Sequence, residues 1–173
     1  GPELGADSIK AGKLACVVAF AAVLAFMFMS YGLFGLFANV ALIVNVFLIF
    51  GLLSAIGATL TLPGIAGIVL TIGMAVDANV LIFERIREEI KTKKGPARSI
   101  ELGYEKALSA IIDANITTFI TAVILFAMGS GPVRGFAVTL GLGIITSVFT
   151  AIFVTRLLII VWFERSRPRE IKV

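Results

Sequence analysis

Long apolar stretches broken by brief polar stops dominate this chain. Counting about 20 apolar residues per bilayer crossing, five spans emerge, at about 14–30, 34–56, 62–83, 111–128 and 136–163. The stops between spans one and two, two and three, and four and five are only a few residues long, so those neighbours form antiparallel hairpins. The exception is a polar stretch, 84–110, between spans three and four. Its first part, Glu84-Arg-Ile-Arg-Glu-Glu-Ile-Lys91, continues the third helix beyond the apolar run, with Glu84 and Glu88 spaced to pair with basic neighbours one turn away. Gly95-Pro96 breaks it. Ile100, Tyr104, Ala107, Leu108 and Ile111 then recur at helical spacing, which predicts an amphipathic elbow helix lying at the interface before span four. The fold class is an all-α polytopic membrane protein, one domain over 1–173.

Composition agrees: 59% of the 173 residues are hydrophobic, against roughly 45–50% in a soluble domain. The net charge of +4 does not point to nucleic acid, because the basic residues gather in two blocks beside apolar runs. Arg85, Arg87, Lys91, Lys93, Lys94, Arg98 and Lys106 lie in the polar stretch, and Arg165, Arg167, Arg169 and Lys172 in the C-terminal tail. Five spans put both blocks on one side, with only Lys10, Lys13 and Arg134 on the other. The excess of basic residues places the long loop and the C-terminus in the cytoplasm and the N-terminus outside. The basic loop suits anionic lipid or a cytoplasmic partner, but its role in setting topology explains it first. Arg156, inside the last span, can snorkel toward the cytoplasmic interface, and Trp162 fits an interfacial anchor. Cys16 reads as a small packing residue. There is no histidine, no metal-ligand spacing, no phosphate cradle and no nucleophile–base pair, so neither a cofactor nor covalent chemistry is expected.

One residue breaks the apolar pattern of span three. Asp77 follows Leu62 by fifteen residues, about 22 Å at 1.5 Å per residue, and the next charge, Glu84, comes about 10 Å further on. A charge at the centre of a membrane helix costs about 2.5–3.5 kcal/mol on insertion scales, and such groups mark ion or proton paths when they face a protein interior or water. Gly73 lies one turn earlier on the same face, and Gly64 and Gly67 thin the helix further up, so that other helices can approach. The tripeptide Asp-Ala-Asn recurs at Asp113-Ala-Asn115. Asp113 is either a helix cap at the start of span four or a second member of the path, with Thr117 and Thr121 following at four-residue steps. Span five carries a seam of Thr139, Gly143, Thr146 or Ser147, and Thr150, and Asn45 lies deep in span two. These are candidates for interhelical packing and hydrogen bonding.

Several stretches carry a family resemblance. Gly1-Pro-Glu-Leu-Gly-Ala-Asp-Ser-Ile9, Pro63-Gly-Ile-Ala-Gly67, the block from Ala75 through Asp77-Ala-Asn79 to Glu84-Arg-Ile-Arg-Glu-Glu89, and Asp113-Ala-Asn-Ile-Thr-Thr118 together resemble the SecD family of protein-export membrane subunits in the RND permease superfamily. The resemblance implies a half-permease whose first span and large periplasmic region, which precede Gly1 in the family pattern, are absent. A fragment is therefore expected, with a lipid-facing scar where that span packs. It also implies an auxiliary subunit of the Sec translocase in the bacterial inner membrane. Proton or sodium flow would drive export of secreted preproteins, with SecF, the SecYEG channel and YajC as partners. By the same resemblance Asp77 matches the intramembrane aspartate of the ion path, and Asp113, Thr117 and Thr118 match a second motif. The competing readings are a small-molecule or lipid exporter of the RND type and a non-transporting scaffold.

Overall fold

A computed structural model describes residues 2–58, 60–92 and 95–166. Helix α1 (Pro2–Tyr31) meets α2 (Leu33–Ala55) at Gly32, whose φ of 59° supplies the left-handed corner. The chain re-enters as α3 (Leu62–Lys91), where the Thr61 hydroxyl accepts from the Gly64 amide at 3.1 Å and Pro63 occupies the first turn. After the Gly95 corner (φ 89°) comes α4 (Pro96–Met128), and after Gly131 (φ 56°) comes α5 (Pro132–Phe149). A π-helical turn, Thr150–Thr155, joins α5 to α6 (Arg156–Ser166). Five helical rods are long and apolar enough to cross a membrane: Gly5–Tyr31, Leu33–Ala55, Leu62–Lys91, Pro96–Met128 and Pro132–Ser166.

As the sequence implies, α3 runs on to Lys91 and α4 starts at Pro96, so the polar stretch 84–110 is the tip of a helical hairpin. One expectation is corrected: there is no separate elbow, since α4 is unbroken from Pro96 to Met128. Packing explains this: Gly103 lies directly against Ile86 of α3, where a Cβ would collide with it, so the first turns of α4 are zipped onto α3 rather than laid along the interface. Asp113 is consequently a mid-helix residue, and its reading as a cap is excluded. The basic residues Lys93, Lys94, Arg167, Arg169 and Lys172 lie outside the described residues.

Helix α3 is the hub. It packs on α1, α2, α4, α5 and the π turn, whereas α1 and α4 flank it and barely touch one another. Contacts fix the directions. Gly12 of α1 faces Ile65, and Tyr31 reaches Glu84, so α1 and α3 run parallel. At the basic end the core is aromatic: Phe34 stands 5.7 Å from Phe83 and 5.6 Å, edge-on, from Trp162. Toward the far end it becomes aliphatic, with Leu42, Ile49, Ile68 and Ile72 fully buried together.

Candidate functional site: an uncovered acidic face on the central helix

The hub helix is closed on one side and open on the other. Its closed side meets α5 through a reciprocal interlock. Thr139 of α5 fills the space above Gly67, and Thr71 of α3 fills the space above Gly143; a Cβ on either glycine would collide with the opposing threonine. Gly64 sits 3.5 Å, measured from an ideal Cβ, from the Thr139 methyl. Thr71, Thr139, Thr146 and Ser147 are buried, and each hydroxyl donates to a carbonyl three or four residues earlier in its own helix, at 2.8 to 3.3 Å. They are therefore satisfied without a cross-helix bond. Asn45 is fully buried, yet neither of its amide atoms has a hydrogen-bond partner among the described residues.

The open side carries Ala66, Leu70, Gly73, Asp77, Leu81 and Glu84 at three- and four-residue steps, all exposed. Among the described residues nothing lies within 4 Å of a Cβ built on Gly73, so it packs against none of them. No side chain among them donates to the Asp77 carboxylate.

On α4 the residues Asp113, Thr117 and Thr121 are likewise exposed. Ile111 shares a core cluster with Ala78 and Ile82, so Asp113, two residues on, stands at about the depth of Asp77. The Thr117 hydroxyl donates to the Asp113 carbonyl at 3.1 Å, and that of Thr121 to the Thr117 carbonyl at 3.2 Å. Both Asp-Ala-Asn repeats behave alike. Each aspartate points away from the bundle, and each asparagine folds back on its own helix: Asn79 donates to the Ala75 carbonyl at 3.4 Å and Asn115 to the Ile111 carbonyl at 2.7 Å. The Oδ1 of Asn79 is buried and unpartnered.

The basic end holds a polar lattice that sequence spacing only half revealed. Glu84 accepts from Arg87 at 2.8 Å, and Arg85 pairs with Glu88 at 2.7 Å, as helical spacing implies. The long-range members were not legible. Tyr31 donates to Glu84 at 2.8 Å, and Arg87 donates to the Ser30 carbonyl at 2.6 Å, with its guanidinium over the Tyr31 ring. Glu89 is only 3% exposed and accepts from Lys106 of α4 at 2.7 Å. These bonds pin the end of α1 and the start of α4 to the extension of α3.

The family described as "Protein export membrane protein SecD/SecF, C-terminal" matches residues 1–165. The chain belongs to that family. It is 62% identical over 173 residues to the protein translocase subunit SecD of Rhodobacter capsulatus, covering all of this chain and 31% of the relative. It is 56% identical over 171 residues to the SecD of Rickettsia prowazekii, covering 99% and 33%. Among solved structures, it superimposes on SecDF of Thermus thermophilus, a translocon-associated membrane protein, with a TM-score of 0.93 at 44% identity over 98% of this chain and 24% of that one. A SecDF structure in a super-membrane-facing form gives 0.88, also at 44% identity, over 96% and 23%. The chain thus spans about a third of the length of the SecD relatives. What it shares with SecDF is the helical membrane region.

Proposed function

We propose that this chain is the membrane-embedded half of a SecD-type export subunit, in which ion movement past Asp77 is coupled to export of secreted preproteins through the SecYEG channel. The observation that carries the reading is the open face of α3. An acidic side chain at membrane depth, at the end of an exposed Ala66–Leu70–Gly73 strip, is costly against lipid. It becomes tolerable when a second polypeptide covers it or water reaches it.

The geometry supports a covering partner. Small residues on a membrane helix allow close approach of another helix, and the flat strip around Gly73 is available to a partner helix rather than to one from this chain. SecF, as the sister half, is the partner we assign to it, with YajC as an accessory. A cation from that partner, or the nearby Asp113, Thr117 and Thr121, would complete a path for protons or sodium. The basic α3–α4 tip and C-terminus lie in the cytoplasm of a bacterial inner membrane and the N-terminus lies outside. The reading is tested in proteoliposomes holding the full-length protein, SecF and SecYEG. Gradient-dependent completion of preprotein translocation should disappear in Asp77→Asn while membrane insertion stays normal. Full stimulation in Asp77→Asn would make the carboxylate structural and favour a scaffold.

A further inference from the structure

A groove framed by α1, α2 and α3 uses none of the residues of the acidic face. It lies away from the Gly32 corner, has a volume of about 500 Å³, and runs past the buried Ile65, Ile68 and Ile72 of α3. Apart from Lys13 and Cys16, every residue that lines it is Val, Ile, Leu or Phe. Lys13 is exposed, and no carboxylate pairs with it among the described residues. The nearest acid on α1, Asp7, lies six residues before it, about 9 Å along the helix.

The level of Lys13 decides what can enter. A Cβ on Gly12, the residue before it, would stand 3.4 Å from the side chain of Leu62, the first residue of α3. Lys13 therefore lies at the rim of the bundle, at the level of lipid head groups. From there the groove follows α1 as far as Phe20 and α3 as far as Ile72, about 10 Å toward the membrane centre. Spread over that length, the volume gives a slot of about 50 Å² in section, whereas a helix about 10 Å across needs roughly 80 Å². The slot admits an acyl chain more readily than a helix. A lysine stem lies along apolar surface and lifts its ammonium to the interface, where basic residues attract anionic lipid. Of the three basic residues on the side opposite the α3–α4 tip, Lys10, Lys13 and Arg134, the first two stand above and at this mouth. With no carboxylate beside Lys13 to receive an ammonium, the mouth favours a head group of net negative charge over a zwitterionic one.

We propose that this groove is a binding site for one anionic phospholipid of the outer leaflet, with an acyl chain in the slot and the phosphate on Lys13. The test is native mass spectrometry of the full-length protein with its partner subunit, released from nanodiscs of equimolar phosphatidylglycerol and phosphatidylethanolamine. Wild type should retain phosphatidylglycerol several-fold over phosphatidylethanolamine. Because the basic α3–α4 tip also attracts anionic lipid, the change on substitution is the readout. Lys13→Gln should lose a single phosphatidylglycerol per chain and no phosphatidylethanolamine. Val17→Trp narrows the groove with Lys13 intact and should lose the same lipid. Both positions are exposed, so neither substitution disturbs the core. Equal retention of the two lipids by wild type, equal loss of both in Lys13→Gln, or a phosphatidylglycerol count unchanged in either variant overturns the proposal. A count unchanged in both would assign the groove to another part of the longer protein.

Discussion

The two sides of helix α3 use the same small residues for opposite ends. Toward α5, Gly67 is filled by Thr139, and Gly143 by Thr71. Toward the open side, Gly73 is filled by nothing, and the exposed Asp77 follows one turn later. A glycine in a membrane helix therefore says that something can come close, but not whether that something belongs to the same chain. The closed side is finished, since its hydroxyls all bond within their own helices. The open side is unfinished, with a carboxylate that no side chain among the described residues reaches. Stability and function should accordingly separate by face.

The largest effect should come from Asp77→Asn. On the open-face reading it removes the ion-dependent stimulation of translocation altogether, yet it shifts the stability of the purified protein by less than about 0.5 kcal/mol, as expected of a surface position with no partner to lose. Thermal unfolding in detergent, run beside the translocation assay, checks both halves. A clear loss of stability would mean that Asp77 belongs to the closed side after all.

Next come the glycines. Gly67→Leu drives a side chain into Thr139 and should destabilise by about 1–3 kcal/mol, the usual range for overpacking. A Cβ on Gly73 meets nothing within 4 Å among the described residues, so Gly73→Leu should leave the chain's own unfolding unchanged or slightly raise its stability through helix propensity, while weakening co-purification with the partner subunit. Denaturant titration of the two variants measures the contrast directly, and equal losses of stability would erase the difference between the faces.

The limits of what could be read from sequence follow the same division. The starts of α2 and α3 are legible to within one residue because apolar run length acts locally. The aspartates and threonines were legible as candidates because a polar side chain in an apolar run is conspicuous. The continuity of α4 was not recognised. The periodicity of Ile100, Tyr104, Ala107 and Ile111 is visible, but a one-sided apolar stripe fits an interfacial helix as well as the start of a spanning one. The signal against an elbow was the lack of any proline from Ala97 to Met128, together with Gly103 on the buried stripe. The π turn has no comparable mark in Thr150–Thr155. The Tyr31–Glu84 bond joins residues 53 positions apart and depends on parallel packing of α1 with α3, which no local pattern encodes. The open face is illegible for a related reason. Small residues around Asp77 imply contact, but only the packing of the other helices shows that the contact is not internal.

Glu89 gives an effect comparable to Gly67→Leu or smaller. It is buried beside Lys106, which is about two-fifths exposed, and Arg85 lies 3.6 Å away. Loss of a hydrogen bond to a charged group costs about 1.5–3 kcal/mol, but both cations can turn to water, so Glu89→Leu should fall at the low end of that range. Because the bond ties α4 to α3, amide hydrogen exchange should rise first in residues 96–106. Protection that falls evenly along the chain would show that this contact is not local.

A similarly small effect on stability is expected from Thr117→Val. Its hydroxyl donates to the Asp113 carbonyl of its own helix, a bond that competes with the backbone and adds little, and the side chain is exposed. The loss should be within about 0.5 kcal/mol. The same substitution nevertheless tests whether the open face extends from α3 onto α4. Asp113 lies at about the depth of Asp77, so a path running between the two helices would use the lone pairs of the Thr117 hydroxyl, which remain free when its proton is given to the carbonyl. In that case gradient-dependent translocation falls in Thr117→Val and recovers in Thr117→Ser, with unfolding unchanged in both. If valine matches threonine in the translocation assay, the path is confined to the strip on α3 and whatever partner covers it, and the exposed threonines of α4 serve only to bond their own helix.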